Sequence, residues 1–300
     1  MMNRREFIRD TGAVGVALSL TNAIADQAVE TARLPTRPIP SSGELLPIVG
    51  LGNSQSFRDG DYENSRKLLD ILIGHGGSLV DSWSSVQEIL GRYMHEHDAR
   101  SKLFLANNVS ATSAQDSDAA IRYAKEAQGK AVLDLLQLPN PKDFGKQWRL
   151  MRNAKEEGHA RYIGIAISRG SYYDLVESLI NGGTADFVQL NYSMLEPESG
   201  DRLLPLAREK GVAVVVNRPF INGQYFALVK DRTLPPWAVE FDCQSWAQFS
   251  LKYILANPSV KCVLTETSKT KHAIDNLSAG FGRLPDEKMR VRMLELIRSF

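Results

Sequence analysis

The chain has 300 residues, 43% of them hydrophobic and 24% charged, a mixture suited to a soluble globular protein of one large α/β domain or two smaller ones. Its 36 Lys+Arg against 35 Asp+Glu leave no basic surplus to meet a polyanion, which excludes nucleic acid as a partner.

The first 25 residues read as a separate segment. NRREFIRD (3–10) sets Arg4 and Arg5 ahead of Phe7 and Ile8, and the small, apolar GAVGVALSLTNAIA (12–25) follows, ending Ala23-Ile24-Ala25. A basic head, a weakly hydrophobic middle and a small-x-small exit form an export signal, and the paired arginines resemble the twin-arginine type. The alternative is an amphipathic N-terminal helix. The apolar run falls short of the ~20 residues a membrane span needs. The expectation is therefore a signal over 1–25, the twin-arginine export machinery as a partner, and a mature chain starting near Asp26. That chain would be periplasmic or otherwise extracytoplasmic, with no stable span. The resemblance implies export in the folded state.

Residues 26–46 form a lead-in whose Pro-rich end, RLPTRPIPSSGELLP (33–47), suits a surface connection or hairpin. Over 47–300, β-type apolar runs alternate with helix-type segments. The runs are PIVGLG (47–52), SLVD (78–81), KLFLANNV (102–109), VLDLLQL (132–138), RYIGIAI (161–167), DFVQL (186–190), VAVVVN (212–217) and KCVLT (261–265). Continuous apolar strands indicate a parallel sheet covered on both faces. Helical length and spacing fall at 64–75, 113–128, 144–157, 171–181 and 198–210. Eight strand–helix units predict a single (β/α)₈ TIM barrel, and no GxGxxG follows an early strand to support a dinucleotide fold. The long connection 218–241 then lies at the C-terminal mouth, where barrel active sites are built. Cys243 and Cys262 flank a predicted helix and its turn at different heights, which argues against a disulfide without closing the question. No metal-ligand spacing and no Ser/His/Asp or Cys/His arrangement is found.

LPIVGLG, GGSLVDS, RYIGI, DFVQLNYS, LLPLAREKGVAVVVNRPFINGQ and ETSKTKHAIDNLSA occur in this order along the chain. Through them it resembles the aldo/keto reductase family over residues 36–299. The resemblance implies a TIM barrel that moves hydride from NADPH to a carbonyl carbon while a phenol protonates the oxygen. A lysine paired with an aspartate lowers the phenol's pKa, and a histidine orients the carbonyl.

Carried over one residue at a time, that tetrad is degenerate. The aspartate matches Asp81. The tyrosine falls in a shortened segment, D-S-W-S-S-V-Q-E, where Ser85 or Val86 comes nearest. The lysine position holds Asn108, which keeps hydrogen bonding and loses the charge. The histidine position holds Pro139, which has neither a side-chain donor nor an N–H. With its lysine gone, Asp81 reads better as a plain strand-end or N-cap carboxylate than as a catalyst. Tyr93, His95 and His97 fall on a helix leading away from the mouth, and Tyr192 is the better-placed substitute phenol.

The same resemblance implies cofactor contacts at Gln189, Asn217 and Arg218 for the nicotinamide end, and at Thr267, His272, Asp275 and Asn276 for the adenosine end. Ala166 and Ile167 stand where the amide-binding pair is expected. Glu266 stands where a glycine or lysine would admit the phosphates, a Coulomb penalty on the order of 1 kcal/mol or more. NADP(H) binding is thus expected to be weak or absent. The leading expectation is an exported pseudoenzyme that holds a small molecule in a mouth rich in amides, namely Asn107, Asn108, Gln137, Asn140, Gln189, Asn191 and Asn217. The alternative is an NAD(P)H-dependent oxidoreductase with a non-standard proton donor such as Tyr192.

Overall fold

A computed structural model describes residues 33–300 apart from 58–60, 110–113 and 142–143. The segment expected to be a signal, 1–25, and the first part of the lead-in lie outside the described residues. The Pro-rich lead-in is a hairpin: Thr36–Pro38 (β1) and Leu45–Pro47 (β2) pair antiparallel, with Arg37 opposite Leu46.

Eight parallel strands follow, and each contains or overlaps one of the expected apolar runs. They are β3 (Val49–Leu51), β4 (Leu79–Ser82), β5 (Phe104–Asn108), β6 (Leu133–Pro139), β7 (Ala160–Ala166), β8 (Phe187–Asn191), β9 (Ala213–Asn217) and β10 (Val260–Thr265). Neighbours pair in chain order, and β10 returns to β3 through Val263 opposite Val49, which closes the barrel. The runs are continuously apolar because both strand faces are buried. One face fills the lumen with Leu79, Phe104, Leu135, Phe187 and Val215, joined from below by Ile39 and Leu46 of the hairpin. The other face packs Val80, Leu105, Leu136, Val188 and Val214 against the helices.

That alternation aims the functional side chains. Stepping by two from lumen residues toward the carboxyl ends gives Asp81 after Leu79, Asn108 after Ala106, Gln137 after Leu135 and Gln189 after Phe187.

The outer layer consists of α1 (Tyr62–Gly74), α2 (Gln87–Glu96), α3 (Ala114–Gln128), α4 (Phe144–Glu156), α5 (Tyr173–Asn181), α6 (Glu198–Glu209), α7 (Gln224–Leu228), α8 (Trp246–Leu255), α9 (Thr270–Ser278) and α10 (Glu287–Arg298). Side-chain caps fix several starts. Asp61 accepts from Asn64 N at 3.0 Å for α1, and Asp286 accepts from Met289 N at 2.8 Å for α10. No described helix is long and apolar enough to cross a membrane.

The connection after β9 carries the backbone strain. Arg218, Ile221 and Asn222 have φ of 50°, 47° and 53°. A β-branched residue in the left-handed region is an outlier held by its surroundings. Here Ile221 is buried at the base of the loop, 3% exposed. Cys243 and Cys262 are both buried and free, so the disulfide left open by the sequence is not formed.

Candidate functional site at the barrel mouth

Asp81 projects from the end of β4 and is 6% exposed. Its Oδ1 accepts from Asn108 Nδ2 at 2.7 Å and its Oδ2 from Trp83 Nε1 at 3.1 Å. Burial pushes the carboxyl up to about 6. The Asn108 and Trp83 bonds oppose that rise, and the charge of Glu266 adds to it. Asp81 caps no described helix, which corrects the N-cap reading: both oxygens serve side-chain donors inside the mouth.

The residue bonded to Asp81 from the shortened segment is Trp83, not Ser85 or Val86, the positions nearest the expected tyrosine. Val86 ends a 3-10 turn (Ser84–Val86) and packs into the apolar layer between strands and helices. Pro139 ends β6 opposite Ala166. Tyr93 is buried on α2, where its hydroxyl donates to Asp70 Oδ1 at 2.8 Å.

Tyr192 does not face the mouth. Its hydroxyl accepts from an Arg290 guanidinium nitrogen at 2.6 Å, and its ring stacks on Tyr253 with centroids 5.9 Å apart. It lies one step past Asn191, on the helix-facing side, and so is no phenol for a lumen substrate.

The amides divide in the same way. Asn107 turns outward, donating to Leu105 O at 3.2 Å and accepting from Gln128. Asn191 donates to Glu196 Oε2 at 2.6 Å, and Asn140 Oδ1 accepts from Ser168 N at 3.2 Å. Asn217 Nδ2 donates to Ile167 O at 2.8 Å. What remains without a protein partner is Asn108 Oδ1, both polar atoms of Gln137, Gln189 Oε1 and Asn217 Oδ1. A buried polar atom left unpaired costs about 1–3 kcal/mol, so this cluster has capacity for added donors at its oxygens and for an acceptor at Gln137 Nε2.

Beside this cluster a cavity of about 880 Å³ opens across the mouth. Ser54 and Gln55 contribute from the end of β3, Ser168 and Arg169 from β7, Arg218, Phe220 and Phe226 from β9, and Glu266 from β10. In the closed strand order β7 stands across from β3. Glu266 accepts from Ser54 Oγ and lies over Gly52. Arg218 donates to Ser168 O at 2.6 Å and stays 3.9 Å from Glu196. Position just past a strand end is the sequence signal that could have found Ser54 and Arg169.

A second cavity of about 340 Å³ shares Phe220, Phe226 and Glu266 and is also lined by Thr267, His272, Asp275 and Asn276. The four residues expected at the adenosine end are thus brought together, and Asp275 has further partners. Its Oδ2 accepts from Ser245 Oγ and its Oδ1 from Gln248 Nε2, both at 2.7 Å, which ties it to the start of α8. Asn276 is 3% exposed. Burial, with help from Lys269 and Lys271, lowers the pKa of His272. Among the described residues, no group of three or more His, Cys, Asp or Glu side chains could hold a metal ion.

Eight parallel strands ringed by helices, with side chains and a cavity gathered at the carboxyl ends of the strands, define a (β/α)₈ barrel of the kind that carries enzyme active sites. Residues 49–292 match the aldo/keto reductase family, and the chain belongs to that family. It is similar to an aldo-keto reductase from Bacillus halodurans in its holo form, with a TM-score of 0.73 and 19% identity, covering 88% of this chain and 96% of the other. It is also similar to an aldo/keto reductase from Klebsiella pneumoniae in complex with NADP and acetate, with a TM-score of 0.70 and 17% identity, covering 90% and 96%. A thermostable aldo-keto reductase bound to the inhibitor epalrestat gives 0.72 and 18%, covering 88% and 100%. At these identities the likeness shows the fold. No curated protein matches the sequence significantly.

Proposed function

We propose that this barrel has lost the carbonyl reduction of its family and works as a binding protein for a small molecule at its mouth. The observation that carries the reading is the state of Asp81. Where the family resemblance calls for a lysine and a phenol, its carboxylate is held by the Asn108 amide and the Trp83 indole. Neither group can pass a proton to a developing alkoxide. A nicotinamide nucleotide also fits the residues poorly. Ala166 and Ile167 offer no side-chain hydrogen bond to its amide, Glu266 faces the phosphate path, and Asp275 is already engaged. NADP(H) binding is therefore weak or absent in this reading.

Titrating NADPH fluorescence with the protein and assaying simple aldehydes tests it. The expected result is neither micromolar binding nor turnover, and finding both overturns the proposal. The same reading puts the protein outside the cytoplasm, delivered by twin-arginine export. Cell fractionation and N-terminal sequencing should find an extracytoplasmic chain beginning near Asp26, and a cytoplasmic chain retaining Met1 would refute that part.

One observation favours a second reading, an NAD(P)H-dependent oxidoreductase. The two cavities share three wall residues, and together their linings run from Arg218 to the buried Asn276. Tyr192 is bonded to Arg290, so such an enzyme would use another acid, and Asp81, its carboxyl raised to about 6, is a candidate. Protein purified from the export compartment would then carry bound nucleotide.

A further inference from the structure

We propose that the mouth cavity takes a small zwitterion whose ammonium and carboxylate are separated by an apolar spacer. The proposal rests on the binding-barrel reading and adds to it the class of ligand.

The cavity is electrically two-sided. On the β3–β10 side stands Glu266, whose stem fills the space over Gly52: a Cβ on that glycine would lie 2.5 Å from Glu266 Cγ. The Ser54 hydroxyl donates to its carboxylate. Held at both stem and head, the negative charge stays on that wall. On the far side are two guanidinium groups. Arg169 follows β7, is exposed, and makes no side-chain hydrogen bond or ion pair among the described residues. Arg218 follows β9. Its tether to Ser168 O at 2.6 Å fixes its place, and it forms a loose ion pair with Glu196 at 3.9 Å, too long for a hydrogen bond, which leaves its remaining N–H groups free to donate. Between the walls lie Phe220 and Phe226, with ring centroids 4.7 Å apart.

Each ligand class can be weighed against this arrangement. A diphosphate gains from the arginines and is repelled by Glu266. A simple carboxylate leaves Glu266 unanswered, and a simple amine leaves the arginines unanswered. A ligand with both charges answers both walls, and its apolar middle covers the phenylalanines. At about 880 Å³ the cavity is in the range of small-molecule sites. Arg218 follows β9, next to β10, but its head is tied to Ser168 past β7, and Glu266 is tied to Ser54 past β3, across the barrel from β7. That separation favours a ligand whose two charges stand further apart than the adjacent carbons of an α-amino acid allow. An ω-amino acid or a short peptide has the required separation.

Isothermal titration of the full chain with 6-aminohexanoate and with triglycine tests the proposal, with hexanoate and hexylammonium as singly charged controls. At least one zwitterion is expected to bind ten-fold or more tighter than either control. Glu266→Gln should reduce 6-aminohexanoate to the affinity of hexanoate and leave hexanoate itself unchanged. Arg169→Gln should weaken both carboxylates and leave hexylammonium unchanged. Glu266 and Arg169 are exposed, and unchanged melting curves would confirm that the variants fold. Equal affinities for zwitterion and controls, no binding of either zwitterion, or indifference to Glu266→Gln each overturn the ligand class. The binding-barrel reading has its own readout in the same experiment. If NADPH is silent as well, that reading stands without this ligand. Tight NADPH binding with aldehyde turnover removes the reading itself.

Discussion

Glu266 occupies the volume that a side chain at position 52 would need: a Cβ on Gly52 would stand 2.5 Å from its Cγ and 2.8 Å from its Oε1. Gly52→Ala is therefore expected to expel the carboxylate from its nook and to destabilise the protein by about 1 kcal/mol, in the range of mild overpacking. Glu266→Ala vacates the same volume, so the alanine at 52 should cost nothing measurable in that background. A double-mutant cycle in urea checks this, since residues in contact couple and distant ones add. Strictly additive costs would mean that the two side chains do not compete for the space.

Asp81 makes stability depend on pH in an unusual direction. Its folded-state value of about 6 lies above the ordinary 3.8, so the folded protein binds the proton more tightly than the unfolded chain. The group's stabilising contribution is fully present below pH 4 and is lost as pH rises through 6. The total is on the order of 3 kcal/mol for about two pKa units. Asp81→Asn removes the titration. The free-energy difference between wild type and variant should shift against the wild type between pH 4 and 7, as read by urea melts at several pH values. A constant difference across that window would refute the assignment.

Burial pushes the Cys243 thiol up to about 11, and it raises Cys262 further still. A thiol kept protonated and covered reacts slowly. The native protein should release no colour from an aromatic disulfide reagent over minutes, whereas the denatured protein should titrate two thiols without prior reduction. Finding none after denaturation would establish a disulfide.

Much of the barrel was legible because burial on both faces leaves a largely apolar run at each strand, and eight such runs follow one another from PIVGLG to KCVLT. Asp81 and Asn108 could be put together from strand ends alone, since β4 and β5 are neighbours. What escaped depends on finer geometry. Tyr192 as a mouth phenol ignores the two-residue alternation that puts Asn191 and Tyr192 on opposite faces, and Asn107 fails for the same reason beside Asn108. Trp83 covers Asp81 through the extended backbone ahead of a 3-10 turn, and no periodicity encodes that path. The engagement of Asp275 depends on Ser245, 30 residues away. A family pattern that marks position 275 for adenine carries no information about its partner.

The hairpin residues Ile39 and Leu46 pack beneath the lumen residues and stopper the barrel floor. Whatever enters the vessel must leave by the rim it came through, past Phe220 and Phe226. Trimming those rings would widen one doorway used in both directions. Entry and escape would both quicken, residence would shorten, and because a guest with an apolar middle also lies against these rings, escape would gain more than entry and the occupied fraction would fall.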